Sequence, residues 1–190
     1  MSSAKGRMFI ISAPSGAGKG TIIGKLLELC PTLVFSVSAT TRAPRASEKD
    51  GVEYYFVTRE RFLEMIERDE FLEHAEYVGE FYGTPKKPIF DAIENGINVL
   101  LDIEVQGASQ IIAKELDIVT IFIVPPDMQE LERRLRDRGT DSEEKLMARL
   151  EKARVELEVK GNYDYIVVND VVSRAAGEIL SIIADNKTMR

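Results

Sequence analysis

The chain has no tryptophan, one cysteine (Cys30) and one histidine (His74) among its 190 residues. A lone cysteine excludes an internal disulfide and any multi-cysteine zinc site. A lone histidine excludes the usual histidine-built metal centres and Ser–His–Asp chemistry. No apolar run approaches the ~20 residues that a membrane-spanning helix needs. The first residues, Met1 to Arg7, lead into a four-residue apolar stretch, too short for a signal-peptide core. Positive charge is also short: 25 Lys and Arg against 32 Asp and Glu leave a net charge of −7. That balance argues against a general nucleic-acid binder, which needs a basic footprint. No repeat or low-complexity tract is present, so solenoids and tails drop out. What remains is a compact, cytoplasmic α/β protein, and any anion it handles must be met by locally placed cations. Hydrophobic and charged shares of 44% and 30% suit that class.

Short apolar runs alternate with helical patterns. Met8–Ser12, Val99–Asp102, Val119–Val124 and Tyr165–Val168 are rich in Ile and Val and read as buried strands. Helical patterns cover about 19–30, 86–95, 104–115, 127–138, 142–160 and 171–186. This alternation predicts a mostly parallel sheet covered on both faces, with ligands at the carboxyl ends of its strands. Two stretches break the rhythm. Residues 36–88 hold eight of the fourteen Phe and Tyr residues, and their pattern predicts antiparallel strands around one helix near 59–69, an inserted α+β lobe. In 127–160, 19 of 34 residues are charged. Asp127 with Glu130 forms a capping box, Gly139 ends that helix, and Asp141 with Glu144 caps the next, giving a helical hairpin. The expected organisation is one domain over 1–190: a core of 1–35, 89–126 and 161–190, the lobe 36–88 and the hairpin 127–160.

Ser12-Ala-Pro-Ser-Gly-Ala-Gly-Lys-Gly-Thr21 follows the first strand and opens the first helix. Gly16 and Gly18 let several N–H groups turn toward one centre, the helix adds its positive end, and Lys19 adds a mobile charge for β and γ phosphates. The segment departs from the common phosphate-loop pattern twice, with Ala13 at its first glycine and Gly20 where a hydroxyl follows lysine. Thr21, one place later, or water then serves the metal. Arg42 and Arg45 flank Pro44 and can clamp a phosphate dianion through several hydrogen bonds, with the Tyr54 and Tyr82 hydroxyls as neutral donors. Asp102, at a strand end, reads either as an acid that orients Mg²⁺ or as a cap for the helix that begins near Glu104.

The run Phe35-Ser-Val-Ser-Ala-Thr-Thr-Arg-Ala-Pro-Arg45, followed by Gly51-Val-Glu-Tyr-Tyr-Phe56, is a specific signature. Together with the phosphate loop, Phe71–Ala75, Tyr82–Thr84, Leu101–Gly107, Arg138-Gly139 and Asn169-Asp170, it closely resembles the guanylate kinase family over essentially the whole chain. The resemblance implies a parallel-sheet P-loop NTPase core with an inserted α+β nucleotide-monophosphate-binding lobe and a helical lid. It implies transfer of the γ-phosphoryl group of ATP to GMP, and also to dGMP if the ribose contacts are loose, with Mg²⁺ accompanying ATP. Glu73 then accepts two donors of the guanine edge, Ser38 donates to its O6, and Thr84 and Glu104 add contacts around the amino group. Residues 13–21 hold the ATP phosphates, Ala13, Pro14, Ser15, Gly16, Ala17, Gly18, Lys19, Gly20 and Thr21 in turn, and Asn169 lies on the adenine side. Arg134, Arg138 and Arg149 close over the ATP phosphates, whereas Arg133 and Arg136 face solvent. Lys19, Arg42 and these three lid arginines are the expected catalytic set, with an indirect metal role for Thr21 and Asp102. Expected partners are the small molecules ATP and GMP, with neither a nucleic-acid polymer nor a membrane, and an oligomer left open. Two competing readings are a guanylate-kinase-like binding module for phosphopeptides and a kinase for another nucleoside monophosphate. The intact loop and lid arginines favour the enzyme.

Overall fold

The computed structural model describes residues 5–137, 139 and 142–186. Along the chain run β1 (Met8–Ser12), α1 (Lys19–Leu29), β2 (Val34–Phe35), β3 (Ser38–Thr40), β4 (Tyr54–Phe56), α2 (Arg59–Glu67), β5 (Phe71–Tyr77) and β6 (Glu80–Pro85). They are followed by α3 (Lys86–Glu94), β7 (Val99–Asp102), α4 (Val105–Ile112), β8 (Ile118–Val124), α5 (Met128–Asp137), α6 (Glu143–Glu158), β9 (Tyr165–Val168) and α7 (Val172–Asp185).

Five strands form a parallel sheet in the order β2-β7-β1-β8-β9. Successive side chains on a strand point to opposite faces, so β1, β7 and β8 each feed two cores at once, whereas only Val167 of β9 is buried and the other face of that predicted buried strand lies open. Phe9, Ile11, Ile121, Ile123 and Val167 pack with Ile22 and Leu26 of α1 and Ile179 and Ile183 of α7. Met8, Ile10, Leu101, Phe122 and Val124 point the other way, against Ile89 and Ile93 of α3 and Ala108 and Ile111 of α4. Each such side chain contributes about 1.5–3 kcal/mol by leaving water, which explains why these strands read as unbroken apolar runs. In the β1–β7 register Ile11 lies beside Asp102. The loop that leaves β1 and the acid that ends β7 therefore emerge side by side.

A second sheet has the order β4-β3-β6-β5. The β3–β6 and β5–β6 pairs are antiparallel as the sequence predicts, but β3 and β4 pair in parallel. The connection through residues 41–53 is long enough to bring the chain back in the same direction, which a tight hairpin cannot do. Phe62 of α2 stacks on Phe71 and Phe81 at centroid separations of 4.5 and 5.4 Å. With Ala39 and Met65 they make a separate small core.

Helices α5 and α6 form the charged hairpin, sealed by Leu131, Leu135, Leu146, Leu150 and Ala153. Asp127 Oδ1 accepts the Glu130 N–H at 2.7 Å, which is one half of a capping box. The Glu130 carboxylate does not return the contact and instead binds Arg133 and Arg134. The cap of α6 is Ser142, whose hydroxyl accepts from the Lys145 N–H; Asp141 lies outside the described residues. No helix among the described residues is long and apolar enough to cross a membrane.

Candidate active site

Strand β1 ends at the buried Ser12, and residues 13–18 then form a tight loop into α1. Gly18 stands at the helix start with φ 88°, a left-handed conformation that costs other residues free energy. A β-carbon there would also meet Asn169 Nδ2 at 2.4 Å. The first turn of α1 holds no acidic residue, so its unpaired N–H groups and positive end face the loop unopposed. Lys19 Nζ lies 2.6 Å from Asp102 Oδ1. Asp102 thus belongs to the loop rather than to a helix cap: the N-cap of α4 is Glu104, with no side-chain cap bond. Gly20 and Thr21 are exposed on the first turn of α1. The loop lines a cleft of about 290 Å³ together with Glu104, Lys152 and Glu156.

The hairpin leans on this loop. Arg134 donates to Ala17 O at 3.3 Å and to Asn169 O at 2.9 Å, while Glu130 holds its Nε at 2.7 Å. Arg149 Nη2 donates to Ser15 Oγ at 2.8 Å. Arg138 lies outside the described residues. Arg133 and Arg136 pair with acidic side chains of the hairpin itself, Glu130 and Asp137 for one and Glu132 and Glu143 for the other. Asn169 is buried at 2% exposure, and its Nδ2 donates to Ala17 O at 2.7 Å. The structure therefore ties the turn after β9 to the loop after β1.

A second cleft, of about 330 Å³, opens between the two sheets. Ser38, Tyr54, Glu73, Tyr82, Asp102 and Glu104 are among its lining residues. Burial pushes the Glu73 carboxyl above the ordinary carboxylate range, partly opposed by a hydrogen bond from Thr84 and by the charge of Lys114. Thr84 is itself buried and donates to Glu73 Oε1 at 2.5 Å. Its hydroxyl, expected at the guanine amino group, is committed here to the Glu73 carboxylate. Glu104 is exposed at the mouth, 3.4 Å from Lys152 Nζ of α6. Tyr54 and Tyr82 meet edge to face at 6.0 Å, and burial raises the Tyr54 hydroxyl above its usual range.

Arg42 is held from behind. Its Nη1 and Nη2 both donate to Glu48, at 2.9 Å each, Nη1 also reaches Ala43 O, and the guanidinium lies 5.5 Å from the Tyr54 ring centroid. Hydrogen bonding to Glu48 raises the Arg42 pKa further, and the same bond lowers that of Glu48. Glu48 also accepts the Arg45 N–H at 2.7 Å. The Arg45 side chain is 77% exposed, 3.9 Å from Glu48. No sequence motif marks Glu48, which stands three residues beyond Arg45, between the two stretches of the signature. Nor does the sequence single out Gln110 of α4 and Lys114 just after it, which bond to the His74 and Leu72 carbonyls on either side of Glu73, or give a role to Gly107, which packs against the Glu73 carboxylate.

Of the predicted residues, Lys19, Thr21 and most of the loop line the first cleft, and Ser38, Tyr54, Glu73, Tyr82 and Asp102 the second. The clefts share Glu104 and are bridged by the Lys19–Asp102 pair, while Arg42, Arg45, Thr84, Arg134, Arg149 and Asn169 line neither. Comparison with known proteins identifies the family. The family profile described as guanylate kinase matches residues 5–186. A guanylate kinase of Synechococcus sp. (strain JA-3-3Ab) is 48% identical over 179 residues, 94% of this chain and 82% of that one. One from Desulfitobacterium hafniense (strain Y51) is 48% identical over 182 residues, 96% of this chain and 91% of that one. Among solved structures, a guanylate kinase from Anaplasma phagocytophilum is similar with a TM-score of 0.77 at 38% identity, covering 98% of this chain and 89% of the other.

Proposed function

The chain belongs to the guanylate kinase family, and from that premise we propose how its own residues carry the γ-phosphoryl group of ATP to GMP, giving ADP and GDP. The observation that supports this assignment best is the pair of clefts meeting at Asp102 and Glu104, one walled by the phosphate loop and the other by Glu73 and Tyr82. ATP lies with its phosphates on residues 13–21 and its adenine toward Asn169. GMP lies in the second cleft, in the lobe 36–88, with its base at Glu73 and Ser38 and its phosphate at Arg42, Arg45, Tyr54 and Tyr82. The hairpin 127–160 acts as the lid. Because these contacts reach base and phosphate rather than the sugar hydroxyl, dGMP is an acceptor as well.

Guanine offers N1–H and N2–H₂ along one edge, and an ionised carboxylate accepts from both. Adenine has no such pair of donors. A site built to hydrogen-bond one base can reject another by up to ~10⁴–10⁵. Transfer itself needs alignment and positive charge more than covalent help. The acceptor phosphate has its second pKa near ~6 and is mostly dianionic at neutral pH, so no general base is needed and one histidine suffices for the whole chain. The obstacle is repulsion between two anionic substrates. Lys19, Arg42, Arg134 and Arg149 offset it, with Arg138 assigned to the same group from the sequence. The lid excludes water that would otherwise accept the phosphoryl group.

ATP enters as its Mg²⁺ complex. The Asp102 carboxylate and the Thr21 hydroxyl, both beside the loop, suit an ion that keeps several waters and takes few protein ligands. When bound, Mg²⁺ neutralises charge on the β and γ oxygens. The proposed partners are the small molecules ATP and GMP, and a cytoplasmic location goes with that reading.

Lys19→Ala tests the assignment. It is expected to lower kcat by orders of magnitude while GMP affinity, measured by calorimetry, stays within a small factor of the parent. Unchanged turnover would remove Lys19 from the reacting phosphates.

A further inference from the structure

Gly107 lies inside α4, where glycine costs about 1 kcal/mol relative to alanine. Its φ lies outside the left-handed region, so backbone freedom does not explain it. Space does. A β-carbon at 107 would stand 2.6 Å from Glu73 Oε2, 3.0 Å from Glu73 Cδ and 2.7 Å from Ile103 Cγ2. One turn further along, Gln110 Nε2 donates to His74 O at 3.0 Å and Gln110 Oε1 accepts the His74 N–H at 3.3 Å. Just beyond the helix end, Lys114 Nζ donates to Leu72 O at 2.6 Å. Residues 72, 73 and 74 are thus each met by one residue of α4 or of the turn that follows it.

The strand needs such a grip. β5 is the edge of its sheet, so its outer backbone groups have no neighbouring strand. Its pairing with β6 also slips there: Phe71 lies opposite Pro85 and His74 opposite Gly83. Leu72 and Glu73 together therefore face Thr84 alone, the geometry of a β-bulge, which re-aims a side chain. Thr84 holds Glu73 Oε1 from within the sheet, and α4 bounds Oε2 from outside it.

We propose that Gly107, Gln110 and Lys114 are positioning residues that set the Glu73 carboxylate for the guanine edge, and that they determine preference for purines carrying a 2-amino group. The proposal rests on the assignment of Glu73 as the base reader. Hypoxanthine retains N1–H but lacks the 2-amino group, so a displaced Oε2 costs GMP more than IMP. The probe is the ratio of kcat/KM for GMP to that for IMP, measured with ATP on the full chain.

Gly107→Ala is expected to lower this ratio by about ten-fold, the scale of one misplaced contact, with KM for ATP unchanged. Gln110→Ala and Lys114→Met provide milder displacements should the alanine variant fold poorly, and each is expected to lower the ratio several-fold. A ratio within two-fold of the parent, roughly the limit of such assays, in the folded variants would overturn the proposal. Glu73→Gln, run in parallel, separates the two levels. If the parent shows no GMP preference, or Glu73→Gln leaves it intact, the base-reading assignment fails. If Glu73→Gln collapses the preference and the α4 variants do not, only the positioning role fails.

Discussion

At Arg42, the charge proposed for the GMP phosphate is itself held by a carboxylate. Glu48 takes both terminal nitrogens of the guanidinium and the Arg45 N–H, which leaves the Nε side of Arg42 for a ligand and fixes the loop around Pro44. Glu48→Gln keeps the shape but removes the charge and one acceptor. KM for GMP is expected to rise about ten-fold, the effect of loosening one charge-assisted contact, with KM for ATP unchanged. An unchanged or lower KM would mean that Glu48 competes with the phosphate instead. Glu73 shows the opposite relation of charge to burial. Its raised carboxyl pKa means that the folded state holds a proton more tightly than the unfolded chain. Stability is therefore fullest below the unfolded carboxyl pKa and is lost as pH rises through the folded one. Glu73→Gln, which cannot ionise, is expected to melt higher than the parent at pH 7, with the gain shrinking in acid, and to bind GMP more weakly. Thermal melts across pH with calorimetry at pH 7 check both halves; a lower melting temperature at neutral pH would contradict the burial cost. Lys19 and Arg42 stand out because they sit in local motifs, whereas Glu73 enters only through the family resemblance. Glu48, Gln110 and Lys114 act by reaching back across a loop or onto another strand, and no spacing in the sequence announces that.

The helices were the most legible elements, because punctuation marks their ends. Pro125-Pro126 follows β8 and Gly139 with φ 64° follows α5, while α6 opens at Ser142, one residue after the cap that the sequence suggests. β2 and β3, with two and three residues, are too short to carry a period, and the parallel β3–β4 pairing follows from the long excursion through 41–53. The α5–α6 hairpin has a core of its own and meets the phosphate loop largely through Arg134 and Arg149 at polar contacts and through Leu131 and Leu135 beside Gly16. It can therefore loosen without the central sheet. Leu150→Ala, by opening a cavity worth about 2–5 kcal/mol, is expected to speed amide exchange in α5 and α6 while β1 and β8 keep their protection, and to raise KM for ATP. Equal loss of protection in β1 would show that hairpin and sheet unfold as one.

For the molecule as a whole, the net charge of −7 speaks about polymers, and the function lies in where the cations converge. Lys19, Arg42, Arg134 and Arg149 come from separate stretches of chain: Lys19 lines the first cleft, Arg134 and Arg149 bond to its loop, and Arg42 stands beside Tyr54 of the second. Three of the four are braced by Asp102, Glu48 and Glu130. Asn169 and Ala17 share a hydrogen bond across 152 positions. Composition excluded whole classes of function and motifs named the pieces, but only the fold shows that the pieces adjoin. The most direct test of the central claim is ATP-dependent phosphorylation measured across GMP, dGMP, AMP, CMP, UMP and dTMP with Mg²⁺ present. Turnover is expected with GMP and dGMP and to be lower by orders of magnitude with the others; no turnover with GMP, or a preference for AMP, would contradict it.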